Sequence, residues 1–126
     1  MTNTVLIVDD SKLARIVTSK AVIATYPSWK KIEAGNADEA LALLSQEKVD
    51  LAIIDFNMPG RNGLELAEEI RKINATMPIA LATANFQDEI IAQARTLEVS
   101  FIAKPITPEG LGGFLTGAAL KLRSAP

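Results

Sequence analysis

The sequence predicts an α/β fold: a doubly wound parallel sheet of five strands with helices on both faces. Three observations lead there. Short apolar runs bounded by turn residues recur along the 126-residue chain, as strands buried on both faces do. Each run is followed by a stretch with apolar residues at helical spacing. The alternation continues from end to end with no linker, repeat or low-complexity segment, which is the pattern of βα units on a parallel sheet. Right-handed crossovers restrict the topology further. The length suits one core, so a single domain over residues 1–126, with no second domain, is expected.

The elements follow in order. Val5 to Val8 is a buried-strand candidate ending in Asp9-Asp10. Ser11 then caps a helix, in which Leu13, Ile16, Val17, Ala21 and Ala24 form the apolar stripe as far as Thr25. Tyr26-Pro27-Ser28 breaks it, and Trp29 to Ala34, mixed in polarity, suits an edge strand. Gly35-Asn36 is a turn. Asn36 and Glu39 have capping-box spacing before a short helix with Ala37, Leu41 and Leu44 inward. Leu51 to Asp55 is the third strand, followed by a loop through Pro59, Gly60 and Gly63. Leu66, Ala67, Ile70 and Ile73 mark the third helix, with Asn74 near its C-cap. Ile79 to Thr83 is the fourth strand, and Ile90, Ile91, Ala94 and Leu97 mark the next helix. Phe101 to Ala103 is a short fifth strand, closed by Lys104-Pro105. Thr107 caps the last helix, with Pro108 at its first position, where a missing N–H costs nothing. Leu111, Phe114, Leu115, Ala118 and Leu122 form its stripe, and Arg123 to Pro126 should fray.

Composition excludes several chemistries. With no cysteine there is neither a disulfide nor a thiolate metal site, and with no histidine there is no Ser-His-Asp triad or His-ligated zinc. The chain cannot make a phosphohistidine itself. A net charge of −2 gives no basic footprint for nucleic acid. No run approaches the length of a membrane span, and the first residues carry no secretory pattern. A cytoplasmic protein is expected, without a membrane or nucleic-acid partner.

The polar residues sit at matching places. Asp9 and Asp10 follow the first strand, Asp55 ends the third, Thr83 the fourth, and Lys104 follows the fifth. In a parallel sheet these ends share one edge, where open α/β sheets build their sites. Three converging anions raise one another's pKa unless a cation joins them. Oxygen ligands without His or Cys suit a hard ion such as Mg²⁺. A divalent ion and an ammonium beside one carboxylate make a site for phosphoryl transfer onto that carboxylate, which needs mainly positioning and charge neutralisation. An aspartate before a turn also serves simply as a turn initiator.

The residues Val5 to Ser11, Asp55 to Gly60 with Gly63, Leu81 to Ala84, and Lys104-Pro105 together resemble the receiver domain of two-component response regulators. The resemblance covers essentially the whole chain, and four motifs in order at these spacings are specific. It implies a flavodoxin-like fold with strand order 2-1-3-4-5. It implies that Asp55 accepts a phosphoryl group from the phosphohistidine of a sensor histidine kinase or histidine phosphotransfer protein. Asp10, Asp55 and the main-chain carbonyl of Asn57 would hold Mg²⁺ (or Mn²⁺), with Asp9 acting through water. Lys104 would pair with the phosphoryl oxygens and Thr83 would turn its hydroxyl toward them. Phe101 would swing inward, although it lacks the hydroxyl of the tyrosine found here in other members. Lys104-Pro105 would be a cis bond. Asn57 and Asn85 would flank the attacking water and tune dephosphorylation. The surface of the fourth helix, fifth strand and fifth helix would dock a downstream protein or a second copy. On that last helix Gly113, Thr116 and Leu120, with Gly117 at the border, form an uncharged outer face.

The implied protein assists its own phosphorylation and dephosphorylation but is not otherwise an enzyme. Two alternatives stay open: a degenerate receiver binding partners without phosphorylation, and a phosphatase of the haloacid dehalogenase type. The second wants an acid two residues after the nucleophile, where this chain has Asn57. A flavin carrier is disfavoured by two aspartates where a flavin phosphate wants neutral donors.

Overall fold

The computed structural model describes residues 2–124. Five strands alternate with five helices: β1 (Thr4–Val8), α1 (Lys12–Thr25), β2 (Lys30–Ala34), α2 (Ala37–Gln46), β3 (Leu51–Asp55), α3 (Gly63–Ile73), β4 (Ile79–Thr83), α4 (Asp88–Thr96), β5 (Ser100–Ala103) and α5 (Pro108–Ser124). All neighbouring strands pair in parallel, in the order β2-β1-β3-β4-β5. This is the flavodoxin-like topology.

Side chains along a strand alternate between faces, and the strands fill two cores by that rule. Leu6, Val8, Ala52, Ile54, Ile79 and Leu81 face α2, α3 and α4. Val5, Ile7, Leu51, Ile53, Ala80 and Ala82 face α1 and α5. Every residue of β3 and β4 is buried, which is why both read as unbroken apolar runs rather than as alternation. Each fully buried Leu or Ile contributes about 1.5–3 kcal/mol relative to exposure. β2 lies at an edge, and Lys30 and Glu33 are exposed there.

The helix ends use side-chain caps. Ser11 accepts the Ala14 N–H at 3.2 Å, and Thr107 accepts the Gly110 N–H at 3.0 Å. Asn36 accepts from Glu39, but the Glu39 carboxylate takes the Gly35 N–H rather than that of Asn36. The reciprocal capping box belongs instead to α3, between Asn62 and Glu65.

Three sequence expectations need correction. Of the apolar stripe expected for α1, only Ala21 is buried. Leu13 is 71% exposed, Ile16, Val17 and Ala24 are also exposed, and the buried positions are Thr18, Ala21 and Val22. α1 lies against the sheet beside α5, and small residues on that side let the two helices approach. Ile73 is 62% exposed at the last position of α3, where the helix has passed the core. Arg123 and Ser124 remain helical rather than frayed, while Ala125 and Pro126 lie outside the described residues. Among the described residues, no helix is long and apolar enough to cross a membrane.

Candidate functional site

The C-terminal ends of β1, β3, β4 and β5 share one edge of the sheet, and the turns that leave them carry the polar residues. Asp55 is the last residue of β3 and is buried. Its Oδ1 accepts from Lys104 Nζ at 3.0 Å and from the Asn57 N–H at 3.3 Å. Gly63 opens α3 directly beneath this turn. A Cβ there would run into the Asp55 carbonyl oxygen and come within 2.9 Å of the Phe56 Cα, so only glycine lets the helix start this close to the strand end. Gly60, with φ +77°, supplies the left-handed step in the loop.

Asp9 is buried and held on four sides. Its N–H donates to the Ala34 carbonyl at 3.1 Å, and its Oδ1 accepts the Ser11 N–H at 2.9 Å. Its Oδ2 accepts from Lys104 Nζ at 3.1 Å, and its carbonyl accepts from Arg15 Nη1 at 2.6 Å. Asp10 is exposed. Asp9, Asp10 and Asp55 each offer a carboxylate oxygen, all within 4.8 Å of one another.

One ammonium therefore bridges two of the three clustered carboxylates, Asp9 and Asp55. Burial pushes the Asp55 carboxyl above its ordinary range. The hydrogen bond from Lys104 offsets part of that rise, and the negative charge of Asp9 adds to it. Burial pulls Lys104 down, but its bonds to Asp55 and Asp9 outweigh this and hold its pKa above the usual lysine value. The cluster holds one ammonium against three carboxylates, and its donor set is oxygen alone. Both features fit a hard divalent cation, which takes few carboxylates and keeps waters.

Thr83 ends β4, buried, in register with Ala103 and one residue beyond the Ala82 that pairs with Asp55. Its hydroxyl accepts the Asn85 N–H at 3.1 Å and donates to the Asn85 carbonyl at 3.0 Å. It is thus engaged with the β4–α4 loop. Phe101 is half-buried and meets Phe86 edge-on, with ring centroids 5.6 Å apart. The Lys104-Pro105 peptide is cis. Asn57 and Asn85 are both exposed, on the loops after β3 and β4.

The family model for the response regulator receiver domain matches residues 5–114. The chain belongs to that family. RpfG, a cyclic di-GMP phosphodiesterase response regulator of Xanthomonas campestris, is 36% identical over 112 residues, 85% of this chain and 29% of its own length. PhoB of Pseudomonas aeruginosa, a phosphate regulon transcriptional regulatory protein, is 34% identical over 113 residues, 86% of this chain and 48% of its own length. This receiver spans about half or less of the length of such curated relatives. Among solved structures, the chemotaxis protein CheY4 of Vibrio cholerae superposes with a TM-score of 0.85 at 26% identity, over 94% of this chain and 99% of that one.

The receiver's edge thus brings together Asp9, Asp10, Asp55 and Lys104, with the Asn57 amide against Asp55. It holds Thr83 on the neighbouring strand, engaged elsewhere. Phe101 pairs with Phe86 rather than with any of these groups. Sequence reasoning missed Arg15, whose Nε also meets Glu33 at 2.9 Å, and missed Phe86. The available signal for Arg15 was a long cation one helical turn past the cap that follows the acidic pair.

Proposed function

We propose that this receiver accepts a phosphoryl group on Asp55 in a Mg²⁺- or Mn²⁺-dependent reaction and signals by altering a binding face. The observation that carries the reading is the buried Asp55 carboxylate, bonded to Lys104 and within 4.8 Å of two more carboxylates. Asp9, Asp10 and Asp55 would hold the metal with the Asn57 main-chain carbonyl. The ion supplies neutralisation of the charge that builds on the transferring group. An Asp55 oxygen attacks the phosphorus, and the bond from phosphorus to the donor's imidazole nitrogen breaks. Lys104 already touches the attacking carboxylate and would follow the charge onto the phosphoryl oxygens. Thr83 would exchange its bond to the Asn85 carbonyl for one to a phosphoryl oxygen, freeing the β4–α4 loop and with it Phe86 and Phe101. Asn57 and Asn85 are small and exposed and would leave water open access, so the acyl phosphate should be short-lived.

The donor, a sensor histidine kinase or histidine phosphotransfer protein, must bring its imidazole to this edge. The exposed Leu13 and Val17 stand beside it, on a cleft of about 400 Å³ shared with Lys104, Pro105 and Ile106. Apolar residues exposed there suit the donor's docking. Output would leave through α4, β5 and α5 to a downstream protein or a second copy. On α5, a Cβ at Gly113 or Gly117 would meet nothing within 4 Å, which permits close approach by a partner. A kinase-fed reaction would place the protein in the cytoplasm.

The test is incubation with acetyl phosphate and intact-mass analysis. The wild type should gain one phosphoryl mass with Mg²⁺ and none in excess chelator, and Asp55→Asn should gain none. Equal labelling of both proteins would remove the reading.

A further inference from the structure

Of the three carboxylates, Asp10 is the one its surroundings hold least. Asp9 and Asp55 are buried and take Lys104 between them. Asp10 is exposed, and its carboxylate accepts no hydrogen bond among the described residues. Its direction is therefore set by its main chain. The peptide that joins it to Asp9 is planar, so whatever fixes the Asp9 carbonyl fixes that plane and the start of residue 10. Arg15 does so. Its Nη1 donates to the Asp9 carbonyl at 2.6 Å while its Nε donates to Glu33 Oε1 at 2.9 Å. The side chain is only 18% exposed, and its partner Glu33 stands on β2. One rigid fork thus ties the turn after β1 to the neighbouring strand, a geometry that a lysine's single point of charge cannot reproduce.

We propose that Arg15 is a positioning residue for the cation site, aiming Asp10 through the 9–10 peptide. The inference rests on the metal-binding reading given above. It makes a prediction whose sign charge alone would reverse. Arg15 is itself a cation close to the carboxylates, so if charge were its only effect, removing it would tighten binding of a divalent ion. If it positions Asp10, removing it loosens binding.

The measurement is Mn²⁺ affinity from the electron paramagnetic resonance signal of the free ion, on the whole chain, with melting temperatures and an amide ¹H–¹⁵N spectrum of each variant. Arg15→Ala and Arg15→Lys should each bind Mn²⁺ about tenfold more weakly, the usual scale for groups that orient a metal ligand. Glu33→Gln should weaken it in the same direction by less. Amide shifts should stay within residues 9–12 and the facing stretch of 33–35. Should Arg15→Ala fail to fold, Arg15→Lys, which keeps the charge and loses the fork, carries the test. Affinity unchanged or tightened in the folded variants overturns the inference, as does weakening accompanied by shifts spread across the sheet. A wild type that binds no Mn²⁺ contradicts the metal-binding reading instead.

Discussion

At the N-terminal edge of the sheet, Asp50 Oδ2 accepts the Thr4 N–H at 2.8 Å and the Lys30 N–H donates to the Asn3 carbonyl at 2.9 Å. Arg71 donates to four carbonyls there: Leu97 and Met77 at 2.7 Å, Glu98 at 3.1 Å and Asn74 at 3.3 Å. Trp29 lies buried and stacked on Tyr26, centroids 4.1 Å apart. At the opposite edge, two buried carboxylates share a single ammonium and a third, exposed one stands beside them. The first edge satisfies its polar groups and joins elements. The second crowds three carboxylates around one ammonium, and such an excess of one sign costs stability. The same sheet therefore has one end where polar groups are satisfied and another where like charges crowd, and substitutions at the two ends should differ in sign.

The largest effect belongs to the satisfied edge. Arg71→Ala strands carbonyls at the end of α3, the start of β4 and the end of α4, and should cost about 2–3 kcal/mol in urea unfolding. A loss within about 0.5 kcal/mol, the usual range of ordinary surface changes, would erase the contrast.

The charged edge should move the other way. Because burial raises the folded-state pKa of Asp55, the folded protein binds more protons than the unfolded chain between the ordinary carboxylate range and that raised value. Stability of the metal-free protein should fall as pH rises through that window and stay reduced above it. Asp55→Asn keeps the shape without the charge, so it should melt higher than wild type at neutral pH and lose this segment of pH dependence. Mg²⁺ should then stabilise the wild type, by about 2.7 kcal/mol at a hundredfold excess over its Kd, and the variant much less. A destabilised Asp55→Asn would mean that the bond to Lys104 outweighs the burial.

The smallest effect is optical. Trp29 precedes β2, whose five residues put roughly 16 Å between the two edges. Native fluorescence should barely respond to Mg²⁺, whereas Phe56→Trp, beside Asp55, should respond clearly. Strong quenching of the native emission would place the ion at the wrong end.

The strands and the acidic edge were legible because fully buried strands write themselves as apolar runs, and the turns after them hold the remaining polar residues. α3 was legible as far as Ile70, since its apolar residues and its core coincide. α1 was not. Its large apolar residues, Leu13, Ile16, Val17 and Ile23, point outward, and its packing face is built from Thr18, Ala21 and Val22. Periodicity reports where apolar residues lie, and on α1 most of the large ones lie away from the core side. The same misplaced face hid Arg15, which the correct orientation sets against the turn after β1. Phe86 escaped because it lies in a loop, where no period marks it.

The central claim is that Asp55, and no other carboxylate of the cluster, receives the phosphoryl group. An acyl phosphate is reduced by borohydride to the alcohol, so trapping the labelled protein and sequencing its peptides by mass spectrometry reads the position directly. The account predicts homoserine at position 55, formed only when Mg²⁺ was present during labelling, with Asp9 and Asp10 unchanged. Homoserine at position 9 or 10, or at 55 in excess chelator, would contradict it.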